Sequence, residues 1–178
     1  IAGQVLDWGD WSGPAGARAV LRDRRVEFAV LETARGGILR RGLAATRAVA
    51  AIVTNIAEDH VGEWGVGDLP TLAETKLVVG RALLPGGRLV LTADDPTLVA
   101  AAGALLTTPL LWLSLDPQSP VLRDHLAAGG DACWVDAGAV LLQWNGSRTE
   151  VMNASEAPIT IGGAARHNIY NLVGVVAL

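Results

Sequence analysis

Short apolar runs alternate with stretches of helical periodicity along the first part of the chain. Val26–Leu31 (VEFAVL) ends at Glu32, and Ala48–Thr54 (AVAAIVT) ends at Asn55. Arg88–Thr92 follows a Pro85-Gly86-Gly87 turn, and Leu110–Ser114 (LLWLS) forms a fourth run. Runs that are apolar on both faces predict buried strands. Helices are predicted between them, over Pro14–Leu21, Pro70–Leu83 and Pro96–Leu105. Ser12 is placed to cap the first, with Pro14 in its opening turn; Asp68 and Pro70 repeat the pattern for the second. The alternation predicts an α/β fold: a doubly wound, mostly parallel sheet flanked by helices.

The pattern changes near Gly130. Cys133–Asp136, Ala139–Trp144 and Arg148–Met152 alternate apolar and polar residues, with turns at Ala137-Gly138 and Asn145-Gly146. This predicts a small antiparallel β-meander. Pro158–Ile161 reads as a short strand, Gly162-Gly163 as a break, and Arg166–Leu178 as a helix. One domain is expected: a parallel part over 1–130, a small antiparallel sheet over 131–161, and the start of a final helix over 162–178. Ile1 lies inside a strand-like run and Leu178 inside a helix-like one, so the domain is expected to be truncated at both ends.

Of the 178 residues, 51% are hydrophobic and 18% charged, enough apolar matter for a core and too much for disorder. A net charge of −4 argues against a nucleic-acid partner. The arginines are scattered, Arg22, Arg24, Arg25 and Arg40, Arg41 being the densest groups. Cys133 is the single cysteine, so no internal disulfide forms, and its apolar surroundings mark it as a core residue. No run of about eighteen uncharged apolar residues and no signal peptide is visible, so no membrane partner and a cytoplasmic location are expected. Trp112, Trp134 and Trp144 fall in strand runs as core or sheet-face residues. Trp8, Trp11 and Trp64 fall in or near loops, as core or rim residues rather than stacked on a base.

Lys76 is the only lysine, against thirteen arginines, and Leu69, Leu72, Val79 and Leu83 surround it at helical spacing. A buried ammonium is costly. Either its head snorkels into water, or a depressed amine serves chemistry. Ligands of open α/β sheets bind beyond the carboxyl ends of the strands. Glu32, the Asn55–His60 segment and Asp94-Asp95 fall at such ends. Glu32 and His60 offer oxygen and nitrogen donors to a shared divalent cation; magnesium takes few protein ligands and completes its shell with water and phosphate. Structural readings stand beside these. Glu32 can cap the turn before Arg35-Gly36-Gly37, His60 can be a hydrogen-bonded turn residue, and Asp94-Asp95-Pro96 is a helix N-cap. His125, after Asp124, reads as surface. Gly36-Gly37 and Gly86-Gly87 fit neither GxGxxG nor GxxxxGK[ST], which disfavours a nicotinamide oxidoreductase and a self-contained nucleotide-hydrolysing site.

Taken together, Leu31–Arg41 (LETARGGILRR), Thr54–Lys76 (TNIAEDHVGEWGVGDLPTLAETK) and Gly162–Asn171 (GGAARHNIYN) resemble the central, ATP-binding domain of the Mur ligase family. ETARGGILR, and Asp10-Trp11-Ser12-Gly13-Pro14 beside a DNTGP-like loop, are most similar to the Mur-ligase-like half of cyanophycin synthetases. The resemblance implies that Glu32 and His60 bind magnesium and that Lys76 is the lysine carbamylated in many members, the three serving catalysis. It implies that His167, Asn168 and Asn171, an HNxxN motif, meet the adenine, and that Ser12 is a loop hydroxyl near the metal. Trp11 departs from the polar residue of the DNTGP-like loop. The family's GTNGK[ST] phosphate loop is expected just upstream of Ile1 and its C-terminal domain beyond Leu178, so the fragment alone is expected to be inactive.

The implied activity is ATP-dependent amide-bond formation through an acyl phosphate, with ATP and Mg²⁺, a small-molecule or peptide carboxylate and an amino acid. Cyanophycin-type chemistry would add arginine to an aspartate side-chain carboxyl. The alternatives are another Mur-type ligase, acting on a peptidoglycan precursor or a folylpolyglutamate, and a degenerate non-catalytic binding module. Homo-oligomerisation is left open.

Overall fold

The computed structural model describes residues 1, 3–5, 7–57, 62, 65–105 and 107–178. Among them one sheet forms from β1 (Ala48–Val53), β2 (Leu83–Thr92), β3 (Leu110–Ser114), β4 (Asp131–Asp136), β5 (Ala139–Trp144) and β6 (Ser147–Asn153), side by side in that order. β1 through β4 pair in parallel, and β4, β5 and β6 pair antiparallel. The expected meander therefore continues the parallel sheet through the β3–β4 pair.

The helices are α1 (Pro14–Arg22), α2 (Arg35–Arg41), α3 (Leu69–Leu77), α4 (Pro96–Ala102), α5 (Pro120–Ala127) and α6 (Arg166–Ala177). Crossovers between parallel neighbours keep one hand. A sheet that grows in one direction thus collects its connecting helices on one face. Leu89, Leu91, Val53 and Trp112 meet Leu72, Leu77 and Leu98 of α3 and α4 there. Leu122 of α5 packs on Ala132 and Trp134 of the same face. The opposite face carries Val90, Leu111, Leu113 and Cys133, covered by Val173 and Ala177 of α6. Both faces are thus apolar, which is why β2 and β3 read as continuous hydrophobic runs.

Several predicted elements change. Val26–Leu31 is not a strand; Phe28 and Val30 are 81% and 86% exposed. A run apolar on both sides needs a hydrogen-bonding neighbour to become a strand, and β1, the edge of the sheet, is not paired with it. The predicted helix 70–83 stops at Leu77 and tightens into a 3₁₀ turn over Val78–Ala82, where Gly80 removes helix propensity. β2 starts at Leu83, five residues before Arg88, with a register shift against β1. Gly86 has a φ of +81°, and a Cβ on Gly87 would stand 2.9 Å from the Leu84 carbonyl oxygen and 3.0 Å from that of Val49. Pro158–Thr160 is a 3₁₀ turn, not a strand. The Thr160 hydroxyl donates to the Ala154 and Ala157 carbonyls at 2.7 and 2.8 Å and closes the chain on itself. The 35–41 segment, read as a turn around Gly36-Gly37, is a helix whose close approach to Pro14 only a glycine at position 37 permits. Ser12 does not cap α1: Gly13 is the N-cap residue, and the Ser12 hydroxyl donates to Asp10 instead.

Candidate functional site

The carboxyl ends of β1 and β2 open into a cleft of about 550 Å³. Thr54 and Asn55 leave β1 on one wall, and Thr92, Asp94 and Asp95 leave β2 on the floor. His167, Tyr170 and Asn171 enter from α6 on the opposite wall. The volume is that of an ordinary small-molecule pocket.

Three side chains hold the loop that follows β1. The Thr92 hydroxyl donates to the Thr54 carbonyl at 2.6 Å. Asp95 accepts from Ile56 N–H at 2.6 Å while its other oxygen accepts from Thr97 and Leu98 N–H at 2.9 and 3.1 Å. Asp95 is thus both the cap of α4 and a clamp on the loop. The Lys76 ammonium, on the partly buried side of α3, donates to the Asn55 carbonyl at 3.0 Å.

The adjacent carboxylate, Asp94, faces the other way. One oxygen accepts from the Ser114 hydroxyl at 2.5 Å. The other accepts from Leu115 N–H at 2.9 Å and from the Tyr170 hydroxyl at 2.5 Å. Burial, then the Asp94 carboxylate, pushes the Tyr170 phenol up to about 12, with Arg166 acting against the shift.

The named residues fall in three places. His167 and Asn171 line the cleft. Asn168 turns to the 3₁₀ segment, its amide donating to the Ile159 carbonyl at 2.7 Å. Glu32 and Ser12 share a separate shallow depression with Thr33 and Pro14. There the Ser12 hydroxyl donates to Asp10 at 2.6 Å and, with Ser12 N–H, holds that carboxyl below the usual range. His60 lies outside the described residues. Among the described residues no three His, Cys, Asp or Glu side chains gather as a metal site. Glu32 and Ser12 are hard oxygen donors, the chemistry magnesium prefers.

His125 is not a surface group: its Nε2 sits 3.1 Å from the Asp131 carbonyl oxygen, tying α5 to β4. Cys133 is buried, which pushes its thiol up to about 12. Asp94 stands at the strand end where the sequence placed it, whereas Tyr170 is a cleft residue that motif reading passed over. A signal was present, since positions 167, 170 and 171 share one helical face.

The family described as Mur ligase middle domain matches residues 15–178. The chain is 39% identical over 166 residues to a cyanophycin synthetase of Synechocystis sp., covering 93% of this chain and 19% of that protein. It is 36% identical over 171 residues to a cyanophycin synthetase of Trichormus variabilis, covering 96% and 19%. A UDP-N-acetylmuramoyl-tripeptide–D-alanyl-D-alanine ligase of Mycobacterium bovis is 32% identical over 112 residues, 58% of this chain and 21% of the ligase. The chain thus spans about a fifth of the length of the curated relatives it matches.

Proposed function

This chain belongs to the Mur ligase middle-domain family, and on that footing we propose that it is the central, nucleotide-binding module of an ATP-dependent amide ligase of cyanophycin-synthetase type. The observation that carries the reading is the cleft itself. It opens beyond the carboxyl ends of two parallel strands, β1 and β2, and His167 and Asn171 line it from one helix. Asn171 offers a donor and an acceptor together, which suits the edge of an adenine.

The reaction proceeds in two steps. A substrate carboxylate oxygen attacks the γ-phosphorus of ATP and releases ADP, giving an acyl phosphate. The α-amine of arginine then attacks the acyl carbon; phosphate leaves, the nitrogen loses a proton and an amide remains. In this reading the carboxylate is the side chain of an aspartate. Little of the work is covalent chemistry by the protein, so positioning and charge neutralisation dominate. Magnesium, when bound, supplies the neutralising charge at the phosphates. Glu32, His60 and Ser12 would hold it, with Lys76 contributing an oxygen ligand once carbamylated. A partly desolvated amine loses its proton more readily than an exposed one, which favours carbamylation.

The test uses the full-length protein with ATP, Mg²⁺, arginine and a β-Asp-Arg primer. Arginine-dependent ADP release is expected, and its absence rejects the cyanophycin-type reading. Substituting UDP-muramoyl peptides or a folate in the same assay separates the other Mur-type ligases.

A further inference from the structure

We propose that Tyr170 is a positioning residue of the cleft: through its hydroxyl bond to Asp94 it fixes the turn of α6 from which His167 and Asn171 reach the nucleotide. The inference rests on the nucleotide reading above and adds to it the residue pair that sets the helix.

Asp94 stands where a ligand-binding carboxylate is expected, at the exit of β2. Both of its oxygens are nonetheless occupied. Ser114 and Leu115, at the end of β3 and just after it, bind it from the sheet side, and Tyr170 binds it from the helix side. A carboxylate held by three donors is an anchor point, with little capacity left to bind a metal or a phosphate-bound cation. The bond spans 76 residues of sequence and is a polar tie between α6 and Asp94 at the exit of β2.

A helix lying on a sheet can roll about its axis if only apolar contacts hold it, because those contacts are non-directional. α6 is held by such contacts at Val173 and Ala177, and at Gly174 it approaches β1 closely enough that a Cβ would stand 2.9 Å from Ile52 Cδ1. None of these fixes the angle of the first turns. Two directional bonds do: Asn168 to the Ile159 carbonyl, which ties the helix start to the 3₁₀ turn, and Tyr170 to Asp94, which ties it to the strand ends. Residues 167, 170 and 171 share a face, so a roll that breaks the Tyr170 bond also carries the imidazole and the amide away from the cleft. The high titration point of Tyr170 agrees with a phenol held against a carboxylate.

The test reads two properties of the full-length protein. The first is the ionisation of Tyr170, isolated as the ultraviolet difference between wild type and Tyr170→Phe. At about pH 10, where a free tyrosine is half ionised, Tyr170 should remain neutral, and Asp94→Asn should bring its ionisation down toward that pH. The second is the kinetic signature of Tyr170→Phe: the KM for ATP rises about five- to tenfold, as for the loss of one ordinary hydrogen bond. The kcat should stay within about twofold, since no reacting atom is touched. Tyr170 half ionised near pH 10 in the wild type overturns the proposal. So does an unchanged KM for ATP in Tyr170→Phe, or a fall in kcat alone. Absence of ATP-dependent ligation in the unmutated protein overturns the ligase reading and this inference with it, and is recognised by appearing without any substitution.

Discussion

Replacing Asp95 with asparagine should release the loop after β1 while leaving α4 capped. The two oxygens of Asp95 do separate jobs: Oδ1 accepts from Thr97 and Leu98 N–H at the start of α4, and Oδ2 accepts from Ile56 N–H. Asparagine is about as good an N-cap as aspartate, so its amide oxygen keeps the helix end. Its amide nitrogen then faces the Ile56 N–H, donor against donor. Loss of a hydrogen bond to a charged acceptor costs about 1.5–3 kcal/mol when buried. This one is part-buried, which favours the lower end, about 1.5 kcal/mol. Asp95→Ala forfeits the cap as well, adding about 1 kcal/mol. For a chain of this size about 1 kcal/mol lowers Tm by roughly 2–4 °C. The asparagine variant should therefore melt about 3–6 °C below wild type and the alanine variant about 5–10 °C below. Thermal and urea unfolding followed by circular dichroism measure the series. An asparagine variant within about 0.5 kcal/mol of wild type, beside a clearly weakened alanine variant, would refute the loop clamp. Equal losses in the two variants would refute the division of labour between the oxygens.

Lys76→Ala should abolish or greatly lower ligation by the full-length protein, with small carboxylate additives restoring part of it; wild-type-like turnover would remove the lysine from the site. Asn171→Ala should weaken ATP binding about tenfold by calorimetry, and an unchanged affinity would place the adenine elsewhere. Gly87→Ala forces a Cβ against the carbonyl oxygens of Leu84 and Val49 and should cost about 1–3 kcal/mol, read as a lower Tm. Cys133 should resist thiol reagents in the native state and react only at the rate of unfolding. Its thiol is raised by burial from 9.0 to about 12, so the folded state binds the proton more tightly than the unfolded. Its contribution to stability is present below about pH 9 and is lost as pH climbs toward 12. A titration that reacts Cys133 fully at neutral pH without unfolding would contradict that burial.

The sheet is legible in the sequence where hydrophobic pattern and neighbour agree. β3 and β5 fall at their predicted bounds, because LLWLS is covered on both faces and Ala139–Trp144 is fixed by turns at each end. α6 is legible from its Val, Leu and Ala content, which α/β packing then buries against β3 and β4. Val26–Leu31 fails for a reason that no pattern contains. Hydrophobicity says that a segment can be covered, while strand formation also needs a partner with free backbone groups in register. The helix at 35–41 is hidden by Gly36-Gly37, whose low propensity is offset by the close contact that Gly37 makes with Pro14.

The site is legible at the level of which residues stand at strand ends, and illegible at the level of what each one faces. Asp94 and Asp95 are neighbours in sequence, both at the exit of β2, and composition cannot separate them. The turn through Ala93 and Asp94 that ends β2, closed by Asp95 N–H on the Thr92 carbonyl, does. Asp95 turns toward α4 and the loop after β1, and Asp94 toward β3 and α6. Two identical carboxylates thereby brace opposite walls of one cleft. Among the described residues that line the cleft, the groups left to face a ligand include the uncharged Asn55, Thr97 and Asn171 and the imidazole of His167. A nucleotide base, neutral and edged with donors and acceptors, matches such a lining better than a free anion or a bare cation does.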